Sequence, residues 1–214
     1  MKSTQRKTLH IPKTCMNKDN SRSLTTLSSE CGETFKKRIV LTKQGDVLHW
    51  LLVFEKSSPK IMQIAVTLAA RETQAHIGLI WRGTKNMASD INLTVTHEAA
   101  GTGSRMVFGA TLEGASRVHF RGLARIAKKA VSSRTHCSAK ALMLSPRAIA
   151  FLKPDLEVAT SETIAGHGSS IGRPGDKELF YFTARGISEA HAKKMMRDAF
   201  IQAIRNEITL TQTL

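Results

Sequence analysis

The sequence predicts a mainly β domain followed by a short helical segment. Between residues 38 and 172, apolar and polar residues alternate in several short runs, and this period of two is typical of strands with one buried face. No amphipathic helical pattern interrupts these residues, which excludes a sheet built from alternating strands and helices. After residue 187, apolar residues recur at helical spacing instead.

Residues 1–37 are polar, basic and without a hydrophobic period, so we predict a flexible basic arm. The chain has 32 Lys and Arg against 17 Asp and Glu, a formal net charge of +15. The excess is concentrated in residues 1–40, with nine basic and three acidic residues, and in residues 121–172, with eight and three. This charge suits nucleic acid or an acidic partner, but it also suits an ordinary basic protein. Nucleic acid is not the expected partner, because no aromatic-rich RNA-binding signature or zinc-finger spacing occurs.

Residues 38–172 form the predicted core, and their strands follow one another directly. Residues 37–56 predict two strands around a turn at Gly45 and Asp46, and residues 61–83 predict further strand with a break at 71–74. Three alternating runs follow, with the predicted buried sets Ile91, Leu93, Val95; Met106, Phe108, Ala110, Leu112; and Val118, Phe120, Ala124, Ile126. Beyond residue 130, KALML, AIAFL and DLEVAT are short and strand-like. A sandwich, a barrel and a β-solenoid all remain open, since no strict sequence repeat selects the solenoid.

Residues 173–214 form the predicted helical region. A short helix is expected over 176–186, opened by Asp176 and ended by Gly186, and a longer one is capped by Ser188. The apolar stripe of the longer helix consists of Ala192, Met195, Met196, Ala199, Phe200, Ala203 and Ile204. This stripe packs either on the chain's own β domain or in a groove of a partner, and the residues alone favour the former.

The stretch AGHGSSIG (165–172) contains the one histidine that we single out, His167. Its glycine spacing does not match a dinucleotide-binding loop, and no phosphate-binding lysine follows. An imidazole can bind a metal ion or carry a proton. No other His or Cys lies nearby in sequence, however, so the residues alone favour a turn. A metal site at His167 would need ligands from another coil or another molecule.

The three cysteines, Cys15, Cys31 and Cys137, are far apart and form no metal-binding or disulfide pattern. A reducing cytoplasm is therefore the expected compartment. The sequence shows no signal peptide and no run of about 18 apolar residues, so no membrane association is expected.

Three motifs resemble the SufB/SufD family of scaffold proteins in the SUF iron–sulfur cluster assembly system. They are VTHEAAGTGSRMVFGATLEGASRVHFRGLARIAKKA (95–130), ALMLSPRAIAFLKPDLEV (141–158) with AGHGSSIG (165–172), and DKELFYFTARGISEAHAKKMMRDAFIQAI (176–204). The resemblance implies a right-handed parallel β-helix followed by a small C-terminal helical domain. It also implies a non-catalytic scaffold subunit, since family members pair through their β-helices and dock a SufC ATPase through their C-terminal helices.

The resemblance further implies which residues carry these roles. SufB has a cysteine implicated in cluster assembly where this chain has Ala148, and a glutamate where it has Gly168, so the chain is more similar to SufD. In SufD the histidine matching His167 lies at the paired interface and is implicated in cluster assembly. Cys137 lies close to, but not at, the position of a second SufB cysteine. The residues expected to dock the ATPase are Leu179, Phe180, Met195, Met196, Phe200 and Ile204.

The chain is shorter than is usual for the family, so a shortened SufD-like member is expected. No cluster is expected to bind stably to this chain alone, because such clusters are normally held by cysteine thiolates. A transient cluster at an interface would take its thiolates from a SufB-like partner. Two alternatives stay open: a basic β-helix module that associates with nucleic acid, and a structural homodimer without cluster chemistry.

Overall fold

A computed structural model of the chain describes residues 15–16, 21–27, 33–55 and 57–210. Twelve strands and two helices occur among these residues. The strands are β1 (Cys15–Met16), β2 (Ser21–Leu27), β3 (Thr34–Leu41), β4 (Val47–Phe54), β5 (Ile61–Leu68), β6 (Gln74–Gly83), β7 (Ala88–His97), β8 (Gly103–Leu112), β9 (Arg117–Ile126), β10 (Ser133–Met143), β11 (Ile149–Val158) and β12 (Thr163–Gly172). The helices are α1 (Asp176–Thr183) and α2 (Glu189–Leu210).

The strands form two sheets that share one core. Sheet A has the order β1-β2-β4-β6-β8-β10-β12, and sheet B has the order β11-β9-β7-β5-β3. From β2 onwards the chain alternates between the sheets, and every neighbouring pair is parallel except β1 with β2. The molecule is therefore a parallel β-solenoid of about five turns with two C-terminal helices, which confirms the predicted fold class.

Side chains that point inward stack in columns, because successive coils are in register. One column runs through Trp50, Ile77, Met106 and Cys137, all of which are buried. The predicted buried sets of β7, β8 and β9 also lie in this core. The sequence alternation of these strands therefore arises because one side of each strand lines the solenoid interior.

The corner that leads from sheet B to sheet A repeats in backbone conformation but not in sequence. Gly45, Glu72, Gly101 and Ser132 occupy it in successive coils, each with a positive φ. The N–H of each donates to a carbonyl of the following coil, for example from Gly101 to Val131 at 2.9 Å. Because the corner tolerates Glu and Ser in addition to Gly, the coils leave no strict repeat in the sequence.

α2 packs across the outer face of sheet A. Ile204 and Ile208 are buried there against Val53, Ile80 and Val107. Glycines let the helix approach closely, since a Cβ at Gly109 would lie 2.7 Å from side-chain carbons of Ile204. At the start of α2, the backbone N–H of His191 donates to Ser188 Oγ at 3.3 Å, as expected for a capping residue.

Three sequence-based expectations need correction in their detail. α1 is preceded by Gly175, and Asp176 is its first helical residue. AIAFL and DLEVAT are one strand, β11, because a strand at the edge of a sheet tolerates the proline between them. The predicted arm, 1–37, lies largely outside the described residues, but β1, β2 and the start of β3 fall within it, so regular structure begins before residue 38.

The basic composition of residues 34–41 hid the alternation of β3. Phe35, Ile39 and Leu41 pack on the core, while Lys36 and Arg38 are exposed. Among the described residues, neither helix is long and apolar enough to cross a membrane.

Candidate functional site

The solenoid is uncovered at its C-terminal end, which is formed by β11 and β12. β12 pairs with β10 on one side, and no strand of the described residues lies on its other side. Its side chains are mostly exposed on both faces, whereas those of β8 are mostly buried. We call the exposed inward-pointing surface of these two last strands the open end. An unpaired parallel strand with free N–H and C=O groups is a template for pairing with another chain.

His167 lies on this open end. Its strand position is paired with Cys137, so its side chain continues the inward column of Trp50, Ile77, Met106 and Cys137. The earlier members of the column are buried, but His167 is exposed because no further coil of the described residues covers it. The structure thus places the imidazole where a core residue would stand if the solenoid continued into a second molecule.

The glycine-rich stretch around His167 is a strand and not the turn that its composition favours. Gly166 lies beside His136, and a Cβ there would come within 3.2 Å of His136 Nδ1. A Cβ at Gly168 would have no atom within 4 Å. Pairing with β10, which is distant in sequence, therefore overrides the local preference of glycine for turns.

Cys137 lies directly below His167 in the column but is not prepared to act as a ligand. Its Sγ packs against the backbone of Gly122, where a Cβ would lie 2.8 Å away. Burial, with a smaller contribution from the charge of Asp155, raises the pKa of the thiol to about 12. The thiol is therefore protonated at neutral pH, and thiolate chemistry needs a change in its surroundings.

The other candidate ligands do not complete a site. Cys31 lies outside the described residues, and Cys15 belongs to β1 at the opposite end of sheet A. Within the part of the chain that the structure describes, no three His, Cys, Asp or Glu side chains lie close enough to hold a metal ion. Any metal centre at His167 would need further ligands from outside these residues.

Next to β12, a polar cluster connects sheet A to α2. Glu207 of α2 accepts a hydrogen bond from Lys140 at 2.8 Å and lies 3.9 Å from Arg105. Burial would raise the pKa of Glu207, but hydrogen bonds from Lys140 and Ser138 and the positive charges of Lys140 and Arg105 outweigh it and lower that pKa. Burial and the charge of Arg105 lower the pKa of His136, with His167 and Lys140 adding to the effect and Glu207 opposing it.

Sequence reasoning missed the exposed apolar residues of the open end. They are Val158 and Ile171, which continue the inward positions of the buried residues Ile126 and Ala141. Their alternation reads as ordinary strand, and only the position of the strands at the end of the solenoid makes them exposed. The signal that could have found them is the absence of another strand pattern between residue 172 and the helices.

The predicted docking residues of the helices divide into two groups. Phe180 and Met195 are exposed, and Leu179 and Met196 are half-buried. Ile204 is buried, and Phe200 packs against the same cluster on sheet A. The apolar stripe of α2 therefore packs on the chain's own solenoid over its second half, while α1 and the first half of α2 keep apolar side chains accessible.

Comparisons with known proteins connect this arrangement to one family. A family model described as the SufBD core domain, of the SUF system for FeS cluster assembly, matches residues 19–200. An iron–sulfur cluster assembly SufBD family protein of Mycobacterium leprae is 22% identical over 170 residues, covering 79% of this chain and 20% of that protein. SufD of Escherichia coli is 28% identical over 134 residues, covering 61% of this chain and 32% of that protein. A SufBD family protein of Synechocystis is 28% identical over 122 residues, covering 57% and 25%. These matches span about a fifth to a third of the length of each relative.

Proposed function

This chain belongs to the SufBD family, and on that basis we propose that it is a non-catalytic, SufD-like scaffold subunit for iron–sulfur cluster assembly. It pairs through the open end with a SufB-like chain or a second copy of itself. The observation that carries the proposal is the position of His167, which continues a core column beyond the last coil. A partner strand added to β12 would pair its free backbone groups and enclose the imidazole at the interface.

The proposed chemical role of His167 is to supply one imidazole to a cluster forming between two chains. The thiolates come from the partner, because Cys137 is protonated in its present surroundings. Two exposed apolar residues of the same strand, Ile164 and Ile171, support an interface that excludes water. The cluster is the cargo of the paired complex and belongs to neither chain alone.

The proposed ATPase-docking surface consists of α1 and the first half of α2. Phe180 is 71% exposed, the neighbouring Tyr181 is 56% exposed, and Met195 is 43% exposed. A Met and two aromatic side chains suit an adaptable apolar contact with a SufC-like ATPase. Ile204 and Phe200 take no part in this proposed contact, because they already pack on sheet A.

The experiment is copurification of this chain with a SufB-like protein and a SufC-like ATPase, followed by anaerobic cluster reconstitution. We expect Ile164→Lys/Ile171→Lys to weaken pairing by at least about tenfold, because charge at an edge strand opposes strand addition. The matched control is Val40→Lys/Ile61→Lys, since both residues are exposed on strands of sheet B away from β12. We expect His167→Ala to keep the pairing but to lower the cluster yield.

Each part of the proposal has its own contrary result. If Ile164→Lys/Ile171→Lys pairs with the partner as strongly as the control Val40→Lys/Ile61→Lys does, the open end is not the interface. Equal cluster yield from wild type and His167→Ala would leave a structural dimer without a role for the histidine in cluster chemistry. Failure of the wild-type chain to retain the ATPase, with retention by a full-length relative, would remove the docking surface.

A further inference from the structure

The outer face of sheet B is an interaction surface that the proposed function does not use. We define this face as the outward-pointing side chains of β3, β5, β7, β9 and β11. α2 packs on β6 and β8 of sheet A and contacts α1. The outward positions of sheet B, in contrast, are exposed or half-buried throughout the sheet.

Hydrogen-bond donors cross this face in a single row. The strand register aligns Lys36, Gln63, Asn92, Arg121 and Lys153 on the five strands. At a strand spacing of about 4.8 Å, the row extends for about 19 Å. Each of its side chains can donate hydrogen bonds and none is a carboxylate, so the row suits an extended anionic chain. We call it the donor row.

A shallow groove lies beside the donor row. Its lining includes the small residues Ala65 and Thr94 and the longer side chains Lys36, Arg38, Gln63 and Asn92. Small residues among longer cationic and amide side chains leave room for a polymer backbone. The groove therefore follows the same direction as the donor row, across the strands.

The face carries more positive than negative charge. Its cations are Lys36, Arg38, Arg117, Arg121, Arg125 and Lys153, and its anions are Asp90, Asp155 and Glu157. Arg125 pairs with Glu157 at 2.6 Å, and Lys153 lies 3.5 Å from Asp155. Lys36, Arg38, Arg117 and Arg121 form no ion pair with a carboxylate among the described residues. Guanidinium groups without a carboxylate partner match phosphate oxygens in a bidentate geometry.

An exposed aromatic ring adjoins the donor row at one end. Phe151 is 51% exposed and contacts His119 edge to face, with ring centroids 4.5 Å apart. Because Phe151 and Lys153 point the same way on β11, the ring stands beside the last cation of the row. A ring next to cations on an open sheet is the arrangement by which sheet surfaces stack a base and hold the adjacent phosphates.

We propose that the outer face of sheet B binds single-stranded nucleic acid, with phosphates along the donor row and a base stacked on Phe151. An acidic polypeptide would use the same cations but would gain no stacking on the ring. The surface is separate from the open end and from the exposed apolar residues of the helices. This proposal therefore stands or fails independently of the scaffold function.

The test is binding of a fluorescein-labelled oligouridylate of about 20 nucleotides to the isolated chain, followed by fluorescence anisotropy at increasing salt. We expect Lys36→Glu/Arg38→Glu/Arg121→Glu to weaken binding by at least about tenfold and to reduce the salt slope by about 2. The control is Lys129→Glu/Arg134→Glu/Arg173→Glu, which makes the same charge change at exposed residues outside this face. The control should stay within about threefold of wild type.

A second variant separates a nucleic acid from a generic polyanion. We expect Phe151→Ala to weaken oligouridylate binding by about tenfold and to leave binding of inorganic polyphosphate unchanged, since polyphosphate has no bases. The proposal is overturned if the control variant loses as much affinity as the face variant, or if Phe151→Ala changes nothing. It is also overturned if polyglutamate competes as well as oligouridylate, or if the wild-type chain does not bind at low salt.

Discussion

Sheet A and sheet B contribute strands of similar length to one interior, but their outer faces have opposite characters. On sheet A, the outward residues of β6 and β8 include Gly78, Ile80, Val107 and Gly109, and all four are buried, with α2 packed over them. On sheet B, the aligned outward residues are amides and cations that face away from the core. The outer face of sheet A is thus covered by α2, and we call it the covered face. We call the outer face of sheet B, on which neither helix packs, the bare face.

The difference is visible in the sequence pattern of the strands. A strand with one buried face alternates, as DINLTVTHE does in β7, whereas a strand buried on both faces reads as a nearly continuous apolar run. β6 contains such a run, HIGLIW, because α2 covers its outer side. Loss of alternation within a solenoid strand therefore indicates which wall another element covers.

The largest expected effect comes from truncating Ile204, which α2 buries against the covered face. Ile204 is 2% exposed, so we expect Ile204→Ala to lower the free energy of unfolding by about 2–4 kcal/mol through lost burial and the cavity left behind. Met195→Ala, at a residue of the same helix that is 43% exposed, should change it by less than about 0.5 kcal/mol. Urea denaturation followed by tryptophan fluorescence measures both. Similar losses from the two variants would contradict the packing of α2 on sheet A.

The solenoid interior could be predicted from local pattern, but its winding could not. Alternation identifies the inward residues of β7, β8 and β9, because each strand needs only its own sequence to show one apolar side. The corners with positive φ are occupied by Gly45, Glu72, Gly101 and Ser132, which share no residue type. What unites them is a hydrogen bond to the next coil, and a contact between distant residues leaves no mark on a local pattern.

The candidate site shows the same limit more strongly. The residue type and the motif single out His167, but its glycine neighbours favour a turn. Only the register with Cys137 establishes that the imidazole continues a core column. Similarly, the stripe of α2 predicts one apolar surface, while its division between Ile204 and Met195 depends on where sheet A lies.

The next largest effect compares two glycines on strands of sheet A. A Cβ at Gly109 would lie 2.7 Å from Ile204, so Gly109→Ala should displace α2 and lower the free energy of unfolding by about 1–3 kcal/mol. At Gly168, which α2 does not cover, a Cβ would meet nothing within 4 Å. Gly168→Ala should therefore be neutral or stabilising by up to about 1 kcal/mol. Equal destabilisation by both variants, measured by thermal and urea unfolding, would mean that helix contact does not distinguish the two sites.

The smallest effect compares an ion pair under the helix with one on the bare face. Burial alone would raise the pKa of Glu207, but hydrogen bonds from Lys140 and Ser138 and the charges of Lys140 and Arg105 together outweigh it and hold that pKa below its ordinary value of 4.5. A carboxyl with a lowered pKa stabilises the fold above its unfolded pKa, and this contribution disappears as the pH falls through the folded pKa. Glu207→Gln should therefore cost about 1 kcal/mol at pH 7, and its difference from wild type should shrink below pH 4.5.

Glu157→Gln is the matched change on the bare face, where Glu157 pairs with Arg125 at 2.6 Å and both side chains are about half exposed. Water and salt screen that pair, so its removal should have no measurable effect at high salt. Unfolding of the three proteins across pH at low and high salt separates the two environments. If the effect of Glu207→Gln is abolished by salt as readily as that of Glu157→Gln, then α2 does not shield the charges beneath it, and the covered face is open to water around Glu207.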